Sequence, residues 1–244
     1  MAAILELKDL CKSFGGVHAV NHVSFKIEKG EILGLIGPNG SGKSTCVNLI
    51  SGVYKADGGD VLFEGKSVIR TSIAGRSRMG IGRTFQSPKP FTGLTVFDSV
   101  YTIAMQTRSY KEASKISGEI LEQMGLSQYE KMRCEKLPIE KRKWLDMARV
   151  LVTRPRVLLL DEVMAGLNPN EIDESVALVR RVNKSGITVL FIEHVMKAVI
   201  KLCSRLVVLN DGRLLTSGDP DTVMNDPKVI AAYLGRGYHH AEND

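Results

Sequence analysis

The chain has 244 residues, 43% of them hydrophobic and 25% charged, enough length and apolar content for an α/β domain with a sizeable core. No window approaches the roughly 18 consecutive apolar residues of a membrane span, and acidic residues interrupt the N-terminus before a secretion signal could form, so the chain is expected to stay in the cytosol. The net charge of +6 is spread out, with only short clusters such as Lys141-Arg142-Lys143, and does not by itself point to nucleic acid; Cys11, Cys46, Cys134 and Cys203 lie too far apart for a zinc site and read as reduced thiols.

Residues 4–9 and 23–28 alternate apolar and polar side chains with period two, as half-buried antiparallel strands do. Lys29-Gly30 turns the chain into the apolar run 32–36, and residues 43–53 follow as a helix. Asp57-Gly58-Gly59, a short strand at 61–63 and Glu64-Gly65-Lys66 together predict a hairpin. From about 88 to 150 there is no strand signal; 95–104, 111–124 and 139–152 carry apolar residues at helical spacing, an inserted helical block. Buried strand pattern returns at 157–160 and 187–192, with a helix over 170–183 between them, and this alternation implies a parallel sheet. The runs 206–209 and 213–216, joined at Asn210-Asp211-Gly212, predict a hairpin. Short helices at 220–224 and 227–234 finish the fold, and the tail from Tyr238 is expected to be loose.

Gly37, Pro38, Asn39, Gly40, Ser41, Gly42, Lys43, Ser44 and Thr45 match the phosphate-binding loop G-x-x-x-x-G-K-[ST], directly after a strand and opening a helix. The glycines let successive N–H groups converge on one anion, Lys43 reaches β- and γ-phosphates, and the Ser44 hydroxyl is suited to Mg²⁺. The expected fold is therefore an α/β phosphate-loop NTPase core, a mostly parallel sheet flanked by helices, with an N-terminal antiparallel β region and an inserted helical subdomain. One domain over 1–244 would comprise a core at about 1–87 and 153–244 and helices at about 88–152. Asp161 and Glu162 end a buried strand, where open α/β sheets bind ligands: Asp161 is suited to Mg²⁺ and Glu162 to polarising an attacking water. His194, after the strand at 187–192, is placed to contact the γ-phosphate and orient that water, and the uncharged amide of Gln86 suits metal and water.

The ordered set Lys43, Gln86, Asp161-Glu162 and His194, with a helical insert between the second and third, resembles an ATP-binding cassette protein. The resemblance implies ATP as ligand and substrate with Mg²⁺. It makes Phe14 the aromatic that stacks on adenine, with Val20 also on the ATP, residues 37–45 the Walker A loop, Gln86 the Q-loop, 157–162 the Walker B strand, 165–168 the D-loop and His194 the switch histidine. The strings 14–20, 30–37, 161–169 and 225–235 are similar to the ATPase subunits of branched-chain amino-acid importers, and exporters of lipid or lipopolysaccharide share some of them. Where most members carry a signature resembling Leu-Ser-Gly-Gly-Gln that holds the γ-phosphate bound to a second subunit, this chain has Leu137, Pro138, Ile139, Glu140 and Lys141. Pro138 has no hydroxyl and no N–H, and Glu140 puts a carboxylate where glycine usually admits phosphate. Either backbone amides suffice there, or the chain pairs with a different subunit that supplies an intact signature.

The implied partners are a second cassette subunit, identical or different, integral membrane permease subunits, and an extracytoplasmic binding protein, with no nucleic acid. The implied location is peripheral, on the cytoplasmic face of the membrane. A non-transport cassette is the competing reading, but such proteins usually carry coiled-coil insertions or tandem cassettes, for which this chain has no room.

Overall fold

The computed structural model describes residues 3–84 and 91–234. β1 (Ala3–Phe14) and β2 (Val17–Glu28) form an antiparallel hairpin turned by Gly15 and Gly16, both at positive φ. Both strands run much longer than their alternation predicts. Register shifts between Leu7 and Leu10 and again before Lys12, with Asp9 at φ 49° and His22 at φ 56°, throw the two-residue period out of phase midway. β3 (Ile32–Ile36) leads into the glycine-rich loop and α1 (Lys43–Ser51), which Gly52 stops at φ 81°. β4 (Gly58–Phe63) and β5 (Lys66–Ser67) make the expected hairpin. α2 (Ile73–Met79), capped by Ser72, is too short and polar to announce itself by periodicity; β6 (Ile81–Arg83) follows.

α3 (Val96–Ala104), α4 (Tyr110–Gln123) and α5 (Ile139–Leu151) lie close to their predicted spans. Thr95 accepts a hydrogen bond from Asp98 N–H at the start of α3, and Ser109 and Glu112 form a capping box on α4. β7 (Val157–Asp161) is followed by α6 (Pro169–Lys184), where Asn168 caps the helix and Pro169 takes the first helical position, so α6 starts one residue before its periodic pattern. β8 (Thr188–Ile192), α7 (Met196–Leu202), β9 (Arg205–Asn210), β10 (Arg213–Gly218), α8 (Pro220–Met224) and α9 (Pro227–Leu234) complete the order. α7 is the second short helix without a sequence signal.

The strands make two sheets, ordered β2-β1-β4-β5 and β10-β9-β3-β8-β7-β6. The second is parallel except for its edge strand β10, and β3, β7 and β8 bury all five of their residues, the burial expected of a parallel sheet covered on both faces. Leu33, Leu35, Leu159 and Leu190 pack with Val47 and Ile50 of α1 and with Leu5 and Leu7 of β1. Ile32, Ile36, Leu158, Leu160 and Phe191 face the opposite core, with Met147 of α5, Val179 of α6 and Val199 of α7. α1 is therefore clasped between the two sheets.

The inner end of α1 is held by Arg76 of α2, 2% exposed. Its guanidinium donates to the carbonyl of Ile50, to that of Leu49, which Gly52 N–H also reaches at 3.3 Å, and to those of Ile69 and Thr71. Replacing Arg76 by Met is expected to lower the unfolding free energy by more than about 2 kcal/mol, since several buried carbonyls lose their donor at once. Urea unfolding of the variant beside wild type checks this, and an unchanged midpoint and slope would show that α1 is anchored elsewhere.

Candidate functional site

Strand pairing brings the predicted residues to one edge. Leu35 of β3 and Asp161 of β7 both lie level with Ile192 of β8, so the glycine loop, Glu162 and His194 all leave the sheet from the same row. Two glycines in that loop are required by space. A Cβ at Gly37 would lie 2.1 Å from the Leu209 carbonyl oxygen, and one at Gly42 2.3 Å from that of Ala19. β2 and the β9–β10 turn thus press on the loop from outside. α1 begins at Lys43 with no side-chain cap, which leaves its first N–H groups for a ligand.

Lys43 is 6% exposed, and its Nζ donates to the carbonyls of Gly37 at 2.8 Å and Pro38 at 2.9 Å. The chain folds back over its own cation. Burial pushes the ammonium below its ordinary pKa, and the nearby carboxylates of Glu162 and Asp161 pull it part of the way back. The hydroxyl of Tyr233, on α9, accepts a hydrogen bond from Gly37 N–H at 2.9 Å, a link from the last helix to the first residue of the loop. Of the remaining loop residues, Ser41 is buried, Thr45 half-buried, and Asn39, Gly40 and Ser44 exposed.

Asp161 is buried, and Arg83 Nη2 donates to its Oδ2 at 3.0 Å. Arg83 Nη1 donates to Asn48 Oδ1 and Ser51 Oγ on α1, at 2.6 and 3.0 Å, so the arginine ties the phosphate-loop helix to the carboxylate strand. Burial raises the Asp161 carboxyl above the usual range, opposed by Arg83. Glu162 has φ 51°, a left-handed conformation costly for a residue with a Cβ and concentrated at functional sites; its N–H donates to the Ile192 carbonyl at 2.9 Å. Its Oε1 lies 3.1 Å from Nε2 of His194, whose imidazole remains partly exposed.

Glu193, between β8 and His194, is 1% exposed. Its carboxylate accepts from Met164 N–H at 2.6 Å and from His194 N–H at 3.3 Å, and Lys143 of α5 donates to the neighbouring Ala165 carbonyl. Burial pushes the Glu193 carboxyl up to about 7. Arg83, Glu193, Lys143 and Tyr233 are site residues that the motifs did not flag. For Glu193 a signal exists: a charge directly after five buried residues and directly before His194. The other three act from elements whose packing periodicity does not reveal.

Phe14 ends β1 as an exposed aromatic, 43% accessible, edge-on to Tyr54 with 5.2 Å between centroids. Val20 is 1% exposed, and its side chain packs in the core with Val23 and Leu10 while the carbonyl of the preceding Ala19 faces the phosphate loop at Gly42. In the segment read as the signature, Leu137 is likewise buried, and Arg142 donates back to its carbonyl. Lys141 is drawn off, its Nζ 3.4 Å from the centroid of Trp144 and 3.4 Å from Glu174. Pro138 occupies the N-cap of α5, Ile139 is 61% exposed and Glu140 sits in the first turn. Gln86 lies outside the described residues.

Residues 20–165 match the sequence family described as ABC transporter, and 213–239 match the one described as branched-chain amino acid ATP-binding cassette transporter. The chain is 34% identical to the high-affinity branched-chain amino acid transport ATP-binding protein BraF of Pseudomonas aeruginosa, over 95% of this chain and 98% of that protein. It is 36% identical to the corresponding protein LivG of Escherichia coli K12, with the same coverage. Among solved structures, a nucleotide-free ATP-binding cassette from an ABC transporter superposes with a TM-score of 0.87 at 31% identity, covering 96% of this chain and all of that one. An ADP conformation of such a cassette gives 0.88 with the same identity and coverage.

The buried Glu193 makes a pH-dependent contribution to stability. Desolvation raises it most, Lys143 opposes that and Glu162 adds to it, so the folded chain holds this proton more tightly than the unfolded chain does. The stabilisation is complete below the unfolded-state value and is lost as pH rises through about 7. Glu193→Gln is therefore expected to gain stability relative to wild type between about pH 5 and about pH 8, measured by urea unfolding across that range. A difference that stays flat would mean that the carboxyl titrates at its ordinary value.

Proposed function

This chain belongs to the ABC transporter family of ATP-binding cassettes, and from that premise we propose that it is the ATP-hydrolysing subunit of an importer, driving uptake of branched-chain or other amino acids through separate membrane subunits. The observation that carries the catalytic part is the arrival of the caged Lys43 and the Glu162–His194 pair at one sheet edge. The extended likeness to branched-chain amino acid transport ATP-binding proteins, which reaches into the C-terminal segment, supports the substrate class.

In this reading the loop amides and Lys43 bind the β- and γ-phosphates, displacing the carbonyls that now hold the ammonium, and Phe14 stacks on the adenine. Ser44, Asp161 and Gln86 are hydroxyl, carboxylate and amide oxygen donors, a set that suits Mg²⁺. Bound there, Mg²⁺ supplies neutralisation of phosphate charge. Glu162 takes a proton from water as the water oxygen bonds to the γ-phosphorus; the bond from phosphorus to the bridging oxygen breaks, releasing ADP and phosphate. His194 holds the carboxylate in orientation through its Nε2.

The partners in this proposal are a second cassette subunit across the ATP, two permease subunits and an extracytoplasmic binding protein, with the chain on the cytoplasmic face of the membrane. The exposed Ile139 and the glutamate beside it, in place of small residues, favour a second subunit of different sequence that offers its own signature.

Purification of the tagged chain from its native membranes tests the reading. Integral membrane subunits are expected to come with it, with ATP turnover that rises when the transported amino acid and its binding protein are supplied. The Glu162→Gln form is expected to bring the same subunits and bind ATP with similar affinity, but to turn over more than about 100-fold slower. Recovery with ribosomes or DNA and without membrane subunits would refute transport, and undiminished turnover in Glu162→Gln would refute its role.

A further inference from the structure

A buried ammonium and a buried carboxyl grip backbone groups of neighbouring residues, 164 and 165, in the segment that leaves Glu162. Lys143, 8% exposed and on the second turn of α5, donates through Nζ to the Ala165 carbonyl. Glu193, at the end of β8, accepts from Met164 N–H through Oε1 and from His194 N–H through Oε2. The other end of the segment is pinned by the bond from Glu162 N–H to the Ile192 carbonyl, and a turn bond from Ala165 N–H to the Glu162 carbonyl closes it. Val163 and Met164, between the pinned ends, are buried.

Burying two ions is unfavourable unless each is fully partnered, and apolar side chains of similar size fill such space at least as well. What the pair provides here is position. We propose that Lys143 and Glu193 are positioning residues for hydrolysis: by fixing residues 162–165 and the backbone of His194 together, they keep the Glu162 carboxylate at its 3.1 Å contact with the imidazole. Lys143 belongs to the helical block and Glu193 to the sheet, so the segment takes its place from both, and a shift of α5 moves the carboxylate. The inference rests on the reading of Glu162 as the group that takes the proton from water.

The test uses the full chain with its membrane partners and four variants. Lys143→Met, close in length and without a donor, and Glu193→Leu, without an acceptor, are each expected to lower kcat about tenfold or more with KM for ATP within about twofold. Glu193→Gln keeps an amide oxygen for Met164 N–H, and its kcat is expected to stay within about threefold of wild type. Wild-type kcat in both Lys143→Met and Glu193→Leu would overturn the proposal, and so would losses in kcat matched by equal losses in ATP affinity. If either of these fails to fold, the other decides together with Glu193→Gln, whose loss of activity to the level of Glu193→Leu would also overturn it. The fourth variant, Glu162→Gln, separates the two readings: full activity there removes the role of Glu162, whereas an inactive Glu162→Gln beside wild-type Lys143→Met and Glu193→Leu removes the positioning role alone.

Discussion

A buried ammonium that, among the described residues, has only neutral oxygens within hydrogen-bonding reach sets the terms for the rest of the molecule. Lys43 has the carbonyls of Gly37 and Pro38 for partners, at 2.8 and 2.9 Å, while the carboxylates of Asp161 and Glu162 act on it from beyond hydrogen-bonding distance. Taking such a cation out of water costs several kcal/mol, and a polyphosphate at the N-terminus of α1 would offset that cost. The loop has this shape because Gly37 and Gly42 leave no room for a Cβ against Leu209 and Ala19. α1 stays in place because Arg76 holds one end and Arg83 ties its side to Asp161.

Charge balance explains the neighbours. Arg83 stands against Asp161, Lys143 against Glu193, and Glu162 meets His194, so the carboxylates crowded at this edge each have a basic group at hand. The left-handed backbone of Glu162 follows from the same crowding: its N–H completes the row with Ile192 while its side chain turns toward the imidazole. Backbone strain at that residue is held by the bonds on either side of it.

Much of this was legible in the sequence, and for physical reasons. Strands buried on both faces read as apolar runs, so β3, β7 and β8 were placed closely, and α8 and α9 began at their prolines. The phosphate loop is a local object, with its glycines and lysine contiguous. What escaped has non-local causes. The bulges of β1 and β2 break a period that only pairing restores, and α2 and α7 are seven residues each, too short for a helical stripe. Val20 and Leu137 sit at positions suggested by resemblance, and packing takes both side chains into the core. Arg76, Arg83 and Lys143 find partners 22 to 78 residues away in the chain, a distance at which spacing carries no signal.

The central claim is that the cage around Lys43 is a receptacle for the phosphates of ATP. Calorimetric titration of ATP into wild type and Lys43→Ala tests it most directly. The variant is expected to stay folded and to lose at least about 100-fold in affinity, or about 2.7 kcal/mol. Equal affinities in the two proteins would contradict it.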